Sequence, residues 1–539
     1  MIPSPFRLGL AFLLFGGLSV RAEVKLASPF TDHMVLQREM RVPVWGWGDP
    51  GETVTVEFAA QKRTVTTGTD GSWRVRLAPM TASAESRTLT VTGSKSGAPI
   101  KLADVLVGEV WLASGQSNMD FSVSAKVKYF AGTMNEDAEI AAATYPNIRV
   151  FTGTAIRIYE PQTTVPGDWE VCSPETVPAF SAVAYFFARD LQKRIKVPVG
   201  IITMSFGAST AEAWIRREAL AADPQLSPML AKFDAAITTF RNTPHTVVAP
   251  PPSEDVSAAS PTAAATPVAS ASPMESATAT GTAGASPAAR RGGRRPRDPN
   301  PEHDQHNPTV LYNGMINPIV GYAIRGAIWY QGESIVGGTA GIALYPRVQA
   351  TLVNDWRKIW GEGDFPFYIC QLAALKANSN NPSVREAQAT VLKLPNTGMV
   401  VTIDIGDPKN VHPKDKQDVG DRLSRIAAAK VYGKDIEYTG PVFKSAEVEN
   451  GAMRVHFTHV GDGLVAKGGP LKCFVIAGAD MAFVPADAKI DGTSVIVSSP
   501  TVTAPVAVRY AWENYPDGCN LYNTAGLPAA PFRSDGAEK

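Results

Sequence analysis

The sequence is poor in the residues that usually mark a metal or redox site. Its 539 residues include four cysteines and seven histidines, and no two cysteines form a CxxC pair. This spacing argues against a metal site built from thiolates, so we expect neither a metal nor another cofactor. An oxidising compartment would permit disulfides, and the sequence does not choose among the pairings. Cys370 lies in the apolar run "FPFYICQLAAL", where a buried free thiol is expected.

The sequence also lacks an excess of either charge. The 51 basic and 51 acidic residues cancel, so no global field would draw the chain to nucleic acid or to an anionic membrane. Hydrophobic residues make up 44% of the chain, which is typical of a globular protein. The expected partner is therefore a small or neutral molecule. Composition does not indicate an oligomeric state.

Long hydrophobic runs are absent beyond the N-terminus. There, Arg7 precedes the apolar run 8–20, and the small residues Val20 and Ala22 flank Arg21. This run is shorter than a membrane-spanning helix, which needs about 20 apolar residues. This order predicts a signal peptide over residues 1–22, cleaved after Ala22. We expect a secreted or periplasmic mature protein without a membrane segment, and a retained anchor is the alternative.

Residues 23–104 alternate between apolar and polar positions. The stretches "ETVTVEFA", "GSWRVRLAPM" and "RTLTVTG" are separated by the turn sequences "GDPGE" and "GTDGS". Alternation with period two between turns is typical of short strands with one buried face. The pattern predicts an N-terminal β-sandwich domain.

From residue 105 to about 440, apolar strands alternate with amphipathic helices. The predicted strands are "VWLASG", "VGIITMSFG", "GAIWYQGES", "FPFYICQLA" and "MVVTIDIGD", and the predicted helices are "AFSAVAYFFARDLQKRI", "ALYPRVQATLVNDWRKIW" and "KQDVGDRLSRIAAAKVYG". Such alternation indicates a parallel sheet covered on both faces. Ligands of these sheets bind at the carboxyl ends of the strands.

Two further segments complete the predicted organisation. Residues 249–289 consist mainly of Ala, Ser, Pro, Thr and Gly, so we expect a disordered insert over about 244–306 within the α/β domain. The run "RRGGRRPR" at its end is interpreted as a solvated linker, with a polyanion-binding tail as the alternative. Strand patterns return in residues 441–539 and predict a C-terminal β-rich region.

The stretch "LASGQSNMD" (112–120) places Ser117 just after a predicted strand. A serine needs a base to become a nucleophile, and His412 is the one histidine that follows the end of a predicted parallel strand. Taken alone, Ser117 is as typical of a turn or helix cap. Met119 also excludes the GxSxG nucleophile elbow, because it stands where that motif has its second glycine.

Six ordered blocks of the chain resemble one family. They are "GQSNM", "SFGASTAEAW" (205–214), "LYNGMI" (311–316), "WYQGES" (329–334), "DPKNVHPKDKQ" (407–417) and "CNLYNTAGLPAAPFR" (519–533). Together they resemble the sialate O-acetylesterase group of the SGNH hydrolase superfamily, over nearly all of the chain except the insert. The resemblance implies an α/β fold of the SGNH-hydrolase, flavodoxin-like type, with a three-layer parallel sheet and accessory all-β domains. It also implies a carboxylic ester hydrolase that removes O-acetyl groups from carbohydrates, of the sialate 9-O-acetyl or acetylated xylan type.

The resemblance also implies roles for individual residues. Ser117 matches the nucleophile, His412 the general base, and Gly207 the glycine whose N–H donates to the oxyanion. Gln331 or Glu333 stands where the superfamily places a side-chain donor. An ionised carboxylate cannot donate, which favours Gln331 for the oxyanion and leaves Glu333 to orient neighbours or bind substrate hydroxyls. The N–H of Ser117 would complete the oxyanion hole.

The chain departs from the superfamily at the acid of the triad. The positions two and three residues before His412 hold Asn410 and Lys409, where many members have an aspartate. We predict Asp407 as the acid, with Asp404 second and a Ser–His dyad as a further alternative.

Aromatic residues near the site blocks are interpreted in two ways. Trp214, Trp329 and Tyr330 either wall a sugar site or belong to the core. A non-catalytic carbohydrate-binding protein remains the alternative to an esterase, but such a protein has no need for the pair Ser117 and His412.

Overall fold

The structure, a computed structural model, describes residues 23–95, 97–244, 298–335, 338–377 and 380–536. The predicted signal peptide lies outside the described residues, as does residue range 245–297 of the predicted insert. None of the helices within the described ranges is both long and apolar enough to cross a membrane.

The N-terminal region is built from strands that pair mainly antiparallel. They are β1 (Lys25–Leu26), β2 (Val35–Gln37), β3 (Val42–Trp47), β4 (Thr53–Phe58), β5 (Gln61–Thr66), β6 (Ser72–Leu77), β7 (Ser83–Gly93) and β8 (Ile100–Gly115). Strands β1, β3 and β6 form one sheet, while β4 pairs with β5 and β7. Within this region, β2 and β8 are the parallel pair. In β4 the side chains of Val54, Val56 and Phe58 are buried, whereas Thr53 and Glu57 are exposed. The predicted strands are confirmed here as β4, β6 and β7.

Strand β8 joins the N-terminal region to the α/β region without a break. Its first half pairs with β7 and β2, and its second half pairs with the next strands of the parallel sheet. The predicted domain boundary at residues 104 and 105 therefore falls inside one strand. From Val105 onward every residue of β8 is buried. The apolar run therefore does not show where the N-terminal sheet ends and the parallel sheet begins.

The central sheet also contains β9 (Tyr145–Thr152), β10 (Trp169–Cys172), β11 (Val199–Ser205), β12 (Gly326–Tyr330), β13 (Phe367–Cys370) and β14 (Thr397–Val400). Its order is β10-β9-β11-β8-β12-β13-β14, and all neighbours are parallel except β10 and β9. Counted in chain order, β11-β8-β12-β13-β14 has the 2-1-3-4-5 order of flavodoxin-like folds. The predicted fold class is thus confirmed, with a β9–β10 hairpin that the sequence patterns did not predict.

Helices cover both faces of this sheet. They are α1 (Ser117–Asp120), α2 (Glu136–Ala141), α3 (Ala182–Ile195), α4 (Arg217–Ala221), α5 (Ser227–Asn242), α6 (Thr339–Trp360), α7 (Asn381–Ala389) and α8 (Lys416–Lys430), and a π-helical segment spans Tyr312–Ile316. The apolar stripes of α3 and α8 pack together in one core. Helices α5 and α6 bury their apolar stripes in the core on the opposite face of the central sheet.

The C-terminal region contains three small antiparallel sheets. Its strands are β15 (Val442–Glu449), β16 (Ala452–Thr458), β17 (Leu464–Ala466), β18 (Phe474–Ala477), β19 (Val484–Pro485), β20 (Asp487–Asp491), β21 (Ser494–Ser498), β22 (Ala507–Tyr510), β23 (Leu521–Asn523) and β24 (Phe532–Arg533). Their core also includes Val401 and Ile403, which follow β14 of the parallel sheet. The C-terminal region therefore packs directly on the α/β region.

Candidate active site

Ser117 begins helix α1 at the point where the order of the central sheet reverses. Strand β8 ends at Gly115, whose φ is +138°. A Cβ atom at Gly115 would lie only 2.2 Å from the carbonyl oxygen of Tyr330 on β12. Glycine therefore lets the two strands approach, and the N–H of Gln116 donates to that same oxygen at 2.9 Å. This close approach fixes Ser117 at the carboxyl edge, where open α/β sheets bind ligands.

The structure brings Ser117 and His412 into contact. The Oγ atom of Ser117 lies 2.8 Å from Nε2 of His412, and the two side chains come from loops 295 residues apart. The ring of Phe130 packs on the imidazole with centroids 4.7 Å apart. On the backbone side, the N–H of His412 donates to Oδ1 of Asn410 at 2.9 Å. Phe130 therefore packs the imidazole beside the serine, and Asn410 fixes the backbone of His412.

The environment of His412 favours its neutral form. Burial, and then the nearby charge of Lys416, lowers the pKa of His412 to about 4. At neutral pH the imidazole is thus uncharged. With its proton on Nδ1, Nε2 can accept the proton of Ser117.

Gly207 lies beside the nucleophile, as the sequence predicts. A Cβ atom at Gly207 would lie 3.8 Å from the Cβ of Ser117. Within the described part of the chain, the backbone N–H groups of Ser117 and Gly207 have no hydrogen-bond acceptor. These two donors are free to bind an oxyanion next to Ser117.

The carboxamide of Gln331 is bound by two neighbours. Its Nε2 donates to the carbonyl oxygen of Ser209 at 3.3 Å, and its Oε1 accepts from the hydroxyl of Tyr345 at 2.8 Å. No hydrogen bond joins Gln331 to Ser117 among the described residues. The role of Gln331 as an oxyanion donor stays a prediction: Ser209 and Tyr345 bind one N–H and the oxygen of its carboxamide, which leaves its second N–H.

Neither predicted acid contacts His412. Oδ1 of Asp407 accepts the backbone N–H groups of Lys409 and Asn410 at 2.7 and 2.9 Å, which closes a turn in its own loop. Over the described ranges, no hydrogen bond or ion pair links Asp407 to the imidazole. The predicted Asp407–His412 pair is therefore not formed, because the loop backbone uses this carboxylate.

Asp404, the second choice, is held by an ion pair. Arg422 donates to its two oxygens at 2.8 and 2.7 Å, and the hydroxyl of Tyr522 donates at 3.0 Å. This carboxylate thus anchors helix α8 and the C-terminal region, and it does not orient His412.

A buried polar network that the sequence did not reveal joins the three loops of the site. Nδ2 of Asn118 donates to the carboxylate of Glu333 and, at 3.0 Å, to the carbonyl oxygen of Val411. Its Oδ1 accepts from Nζ of Lys416 at 2.6 Å. The network places Asn118 between the nucleophile loop, the loop after β12 and the loop of His412. The blocks "GQSNM" and "DPKNVHPKDKQ" contain Asn118 and Lys416, but nothing in their spacing distinguishes these residues from their neighbours.

Burial perturbs both charged members of this network. It lowers the pKa of Lys416 to about 7, and it raises the pKa of Glu333. Oε2 of Glu333 is buried and has no hydrogen-bond partner among the described residues. Glu333 was predicted to orient neighbours or bind hydroxyls, and the structure places it in contact with Asn118. Among the residues described, no three His, Cys, Asp or Glu side chains are grouped as metal ligands.

The predicted aromatic walls are part of the core. Trp214, Trp329 and Tyr330 are at most 1% exposed, and Trp214 packs edge to face on Trp329 with centroids 6.0 Å apart. They cannot reach a sugar ring, so the prediction that they line the site is wrong and the core interpretation is right. Tyr129 is the contrasting case: it is 97% exposed and packs against Phe130, the residue that covers His412.

Comparisons with known proteins indicate the class of enzyme. A family model described as a carbohydrate esterase, sialic acid-specific acetylesterase, matches residues 273–429. The crystal structure of a carbohydrate acetylesterase from Xanthomonas citri superposes with a TM-score of 0.75 and 33% identity, covering 95% of this chain and 99% of that one. The chain belongs to this esterase family.

Curated relatives extend the match over the whole chain. The sialate O-acetylesterase of Mus musculus is 28% identical, with 97% of each chain covered. The sialate O-acetylesterase of Homo sapiens is 27% identical, and the match covers 97% of this chain and 95% of the human protein. The predicted family is thereby confirmed, and the protein is a carboxylic ester hydrolase.

Proposed function

We propose that this esterase is an exported serine enzyme that removes O-acetyl groups from carbohydrates through an acyl-enzyme formed on Ser117. The contact of 2.8 Å between Ser117 Oγ and His412 Nε2 is the observation that carries the proposal. The predicted signal peptide supports export, and the names of the relatives support an acetylated sugar as the substrate.

The reaction divides into acylation and deacylation. Ser117 Oγ attacks the acetyl carbonyl carbon while its proton passes to His412 Nε2, and the N–H groups of Ser117 and Gly207 bind the developing oxyanion. His412 then returns the proton to the leaving sugar oxygen as the ester bond breaks. Water attacks the acetyl-Ser117 ester in the same way, with His412 as base, and acetate is released.

A Ser–His dyad fits the site better than a triad. The ring of Phe130 packs on the imidazole and the backbone N–H of His412 donates to Asn410, while no carboxylate among the described residues bonds to the ring. Its neutral form is favoured by burial and by Lys416. We therefore assign no carboxylate as a third member of the catalytic group.

The test is acetate release. The purified protein should hydrolyse p-nitrophenyl acetate, and S117A should lower kcat by at least about a thousandfold. Ser124→Ala is the matched control, because Ser124 is a buried serine outside the site. A protein that only binds carbohydrate would release no acetate, and wild-type activity in S117A would contradict the proposal. A panel of 9-O-acetylated sialic acid and acetylated xylan then decides the sugar.

A further inference from the structure

A cleft lies between the C-terminal region and the loop that leads into helix α7. Its cavity has a volume of about 480 Å³. The side chains that line it and are at least partly exposed are those of Lys376, Asn380, Ser383, Trp512, Glu513, Asn514 and Tyr515. Two half-buried aromatic rings beside charged and neutral polar groups are the composition expected of a site for an uncharged polar ligand.

The C-terminal wall of the cleft is fixed by buried contacts. The guanidinium of Arg385, which is fully buried, donates to the carbonyl oxygens of Glu513 and Asn514 at 2.8 and 2.9 Å. The N–H of Leu375 donates to the carbonyl oxygen of Asn514 at 3.1 Å. Because the segment between Trp512 and Tyr515 is held in this way, little ordering entropy remains to be lost on binding.

The cleft adjoins the loop of the catalytic histidine. The N–H of Lys376 donates to the carbonyl oxygen of Pro408 at 3.3 Å, four residues before His412. Tyr515 also faces this loop: burial, and then the carboxylates of Asp517 and Asp407, raises its pKa. A ligand in the cleft would therefore lie against the loop that carries His412.

A cationic side chain lies over each of the two aromatic rings of the cleft. Nζ of Lys376 lies 5.3 Å from the centroid of Tyr515, and the guanidinium carbon of Arg533 lies 5.0 Å from that of Trp512. Sugar rings pack their C–H faces on such rings while hydroxyl groups bond to flanking polar side chains. Lys376 and Glu513 bring opposite charges, so the cleft does not select a strongly charged ligand.

We propose that this cleft binds a sugar unit next to the acetylated unit, so that the esterase acts on carbohydrate chains in preference to single sugars. The inference rests on the proposed function, because it assumes that the ester is cleaved at Ser117. It names the substrate as an oligosaccharide or polysaccharide that spans the catalytic loop and the C-terminal region.

The test compares chains with single sugars in the full-length protein. The substrates are acetylated xylo-oligosaccharides of increasing length and 9-O-acetylated sialyllactose, each against its acetylated monosaccharide. We expect the KM of the wild type to fall with chain length in at least one series. The double variant W512A/Y515A should raise the KM for chains about tenfold and leave kcat on p-nitrophenyl acetate unchanged.

Two further variants guard this test. F483A removes a half-buried ring of the C-terminal region that lies outside the cleft. This ring is also covered by an arginine, because the guanidinium carbon of Arg509 lies 3.8 Å from its centroid. The KM of F483A for chains should equal that of the wild type. Ser383→Trp keeps both aromatic rings and fills the cleft from an exposed position, so it should raise the KM for chains even if the double variant fails to fold.

Equal KM values for chains and monosaccharides would overturn the proposal, as would unchanged KM values in both cleft variants. Hydrolysis of p-nitrophenyl acetate without hydrolysis of any chain would also overturn it. Failure of the proposed function looks different, because the wild type would then hydrolyse no ester at all.

Discussion

At the scale of single residues, the proposed mechanism requires His412 to be neutral before Ser117 can react. Burial and Lys416 lower the pKa of His412 to about 4, so the imidazole stays neutral far below the pH at which an ordinary histidine is protonated. We expect kcat/KM for p-nitrophenyl acetate to stay level from neutral pH to pH about 5 and to fall near pH 4. An acid limb centred near the ordinary value of 6.5 would contradict this.

Lys416 contributes to the low pKa of His412, so removing Lys416 should raise the pKa of His412. Lys416 titrates near pH 7, so it carries a positive charge over the pH range in which His412 is protonated. Replacing it with the uncharged side chain in K416M should move the acid limb of kcat/KM to higher pH. K414M is the control, because Lys414 is exposed in the same loop. An unmoved limb in K416M would show that burial alone sets the pKa.

Asp407 allows a direct test of the dyad. The carboxamide introduced by D407N keeps an oxygen that can accept the N–H groups of Lys409 and Asn410, so the turn should persist. We expect kcat within about threefold of the wild type, whereas loss of a triad acid costs about ten thousandfold. Steady-state hydrolysis of p-nitrophenyl acetate separates these values, and a loss of the larger size would restore Asp407 as the acid.

At the scale of elements, the approach of β8 and β12 positions the site. Gly115 combines a positive φ with a backbone neighbour 2.2 Å from where a Cβ atom would be. G115A should therefore lower the melting temperature and the activity together, since either the strands separate or the nucleophile loop shifts.

The control for this change is Gly341, near the start of helix α6. A Cβ atom there meets nothing within 4 Å, and the residue has ordinary helical geometry. G341A should leave the melting temperature equal or higher, because alanine favours helix. A similar loss of stability in both variants would contradict the role given to the β8–β12 contact.

At the scale of the whole molecule, the C-terminal region and the α/β region share a core and buried polar contacts. Val401 and Ile403 lie in the C-terminal core, and Arg385 and Asp404 have partners in that region. Removing residues 441–539 would leave the buried guanidinium of Arg385 without two of its four carbonyl partners, at a cost of about 1–3 kcal/mol. We expect the truncated chain to lose its cooperative fold and the intact regions to melt together in calorimetry. Two separate transitions would contradict this.

The sequence by itself determined the family, the fold class and the pair Ser117 and His412. Continuous apolar strands, helical periodicity and ordered blocks are local properties, so they can be recognised without coordinates. Gly207 was also found beside Ser117, because strand ends of one parallel sheet meet at one edge. The β9–β10 hairpin and the unbroken β8 were not found, because pairing at a sheet edge and continuity between sheets depend on distant partners.

Only the tertiary structure decided which polar side chains face the nucleophile. Asp407 and Asp404 are suitable residue types at suitable positions, but the loop backbone takes the hydrogen bonds of Asp407 and Arg422 those of Asp404. The Asn118, Glu333 and Lys416 network was hidden for the converse reason, since its members come from three separate segments. Sequence specifies which groups are available, whereas burial and competition among neighbours decide which of them pair.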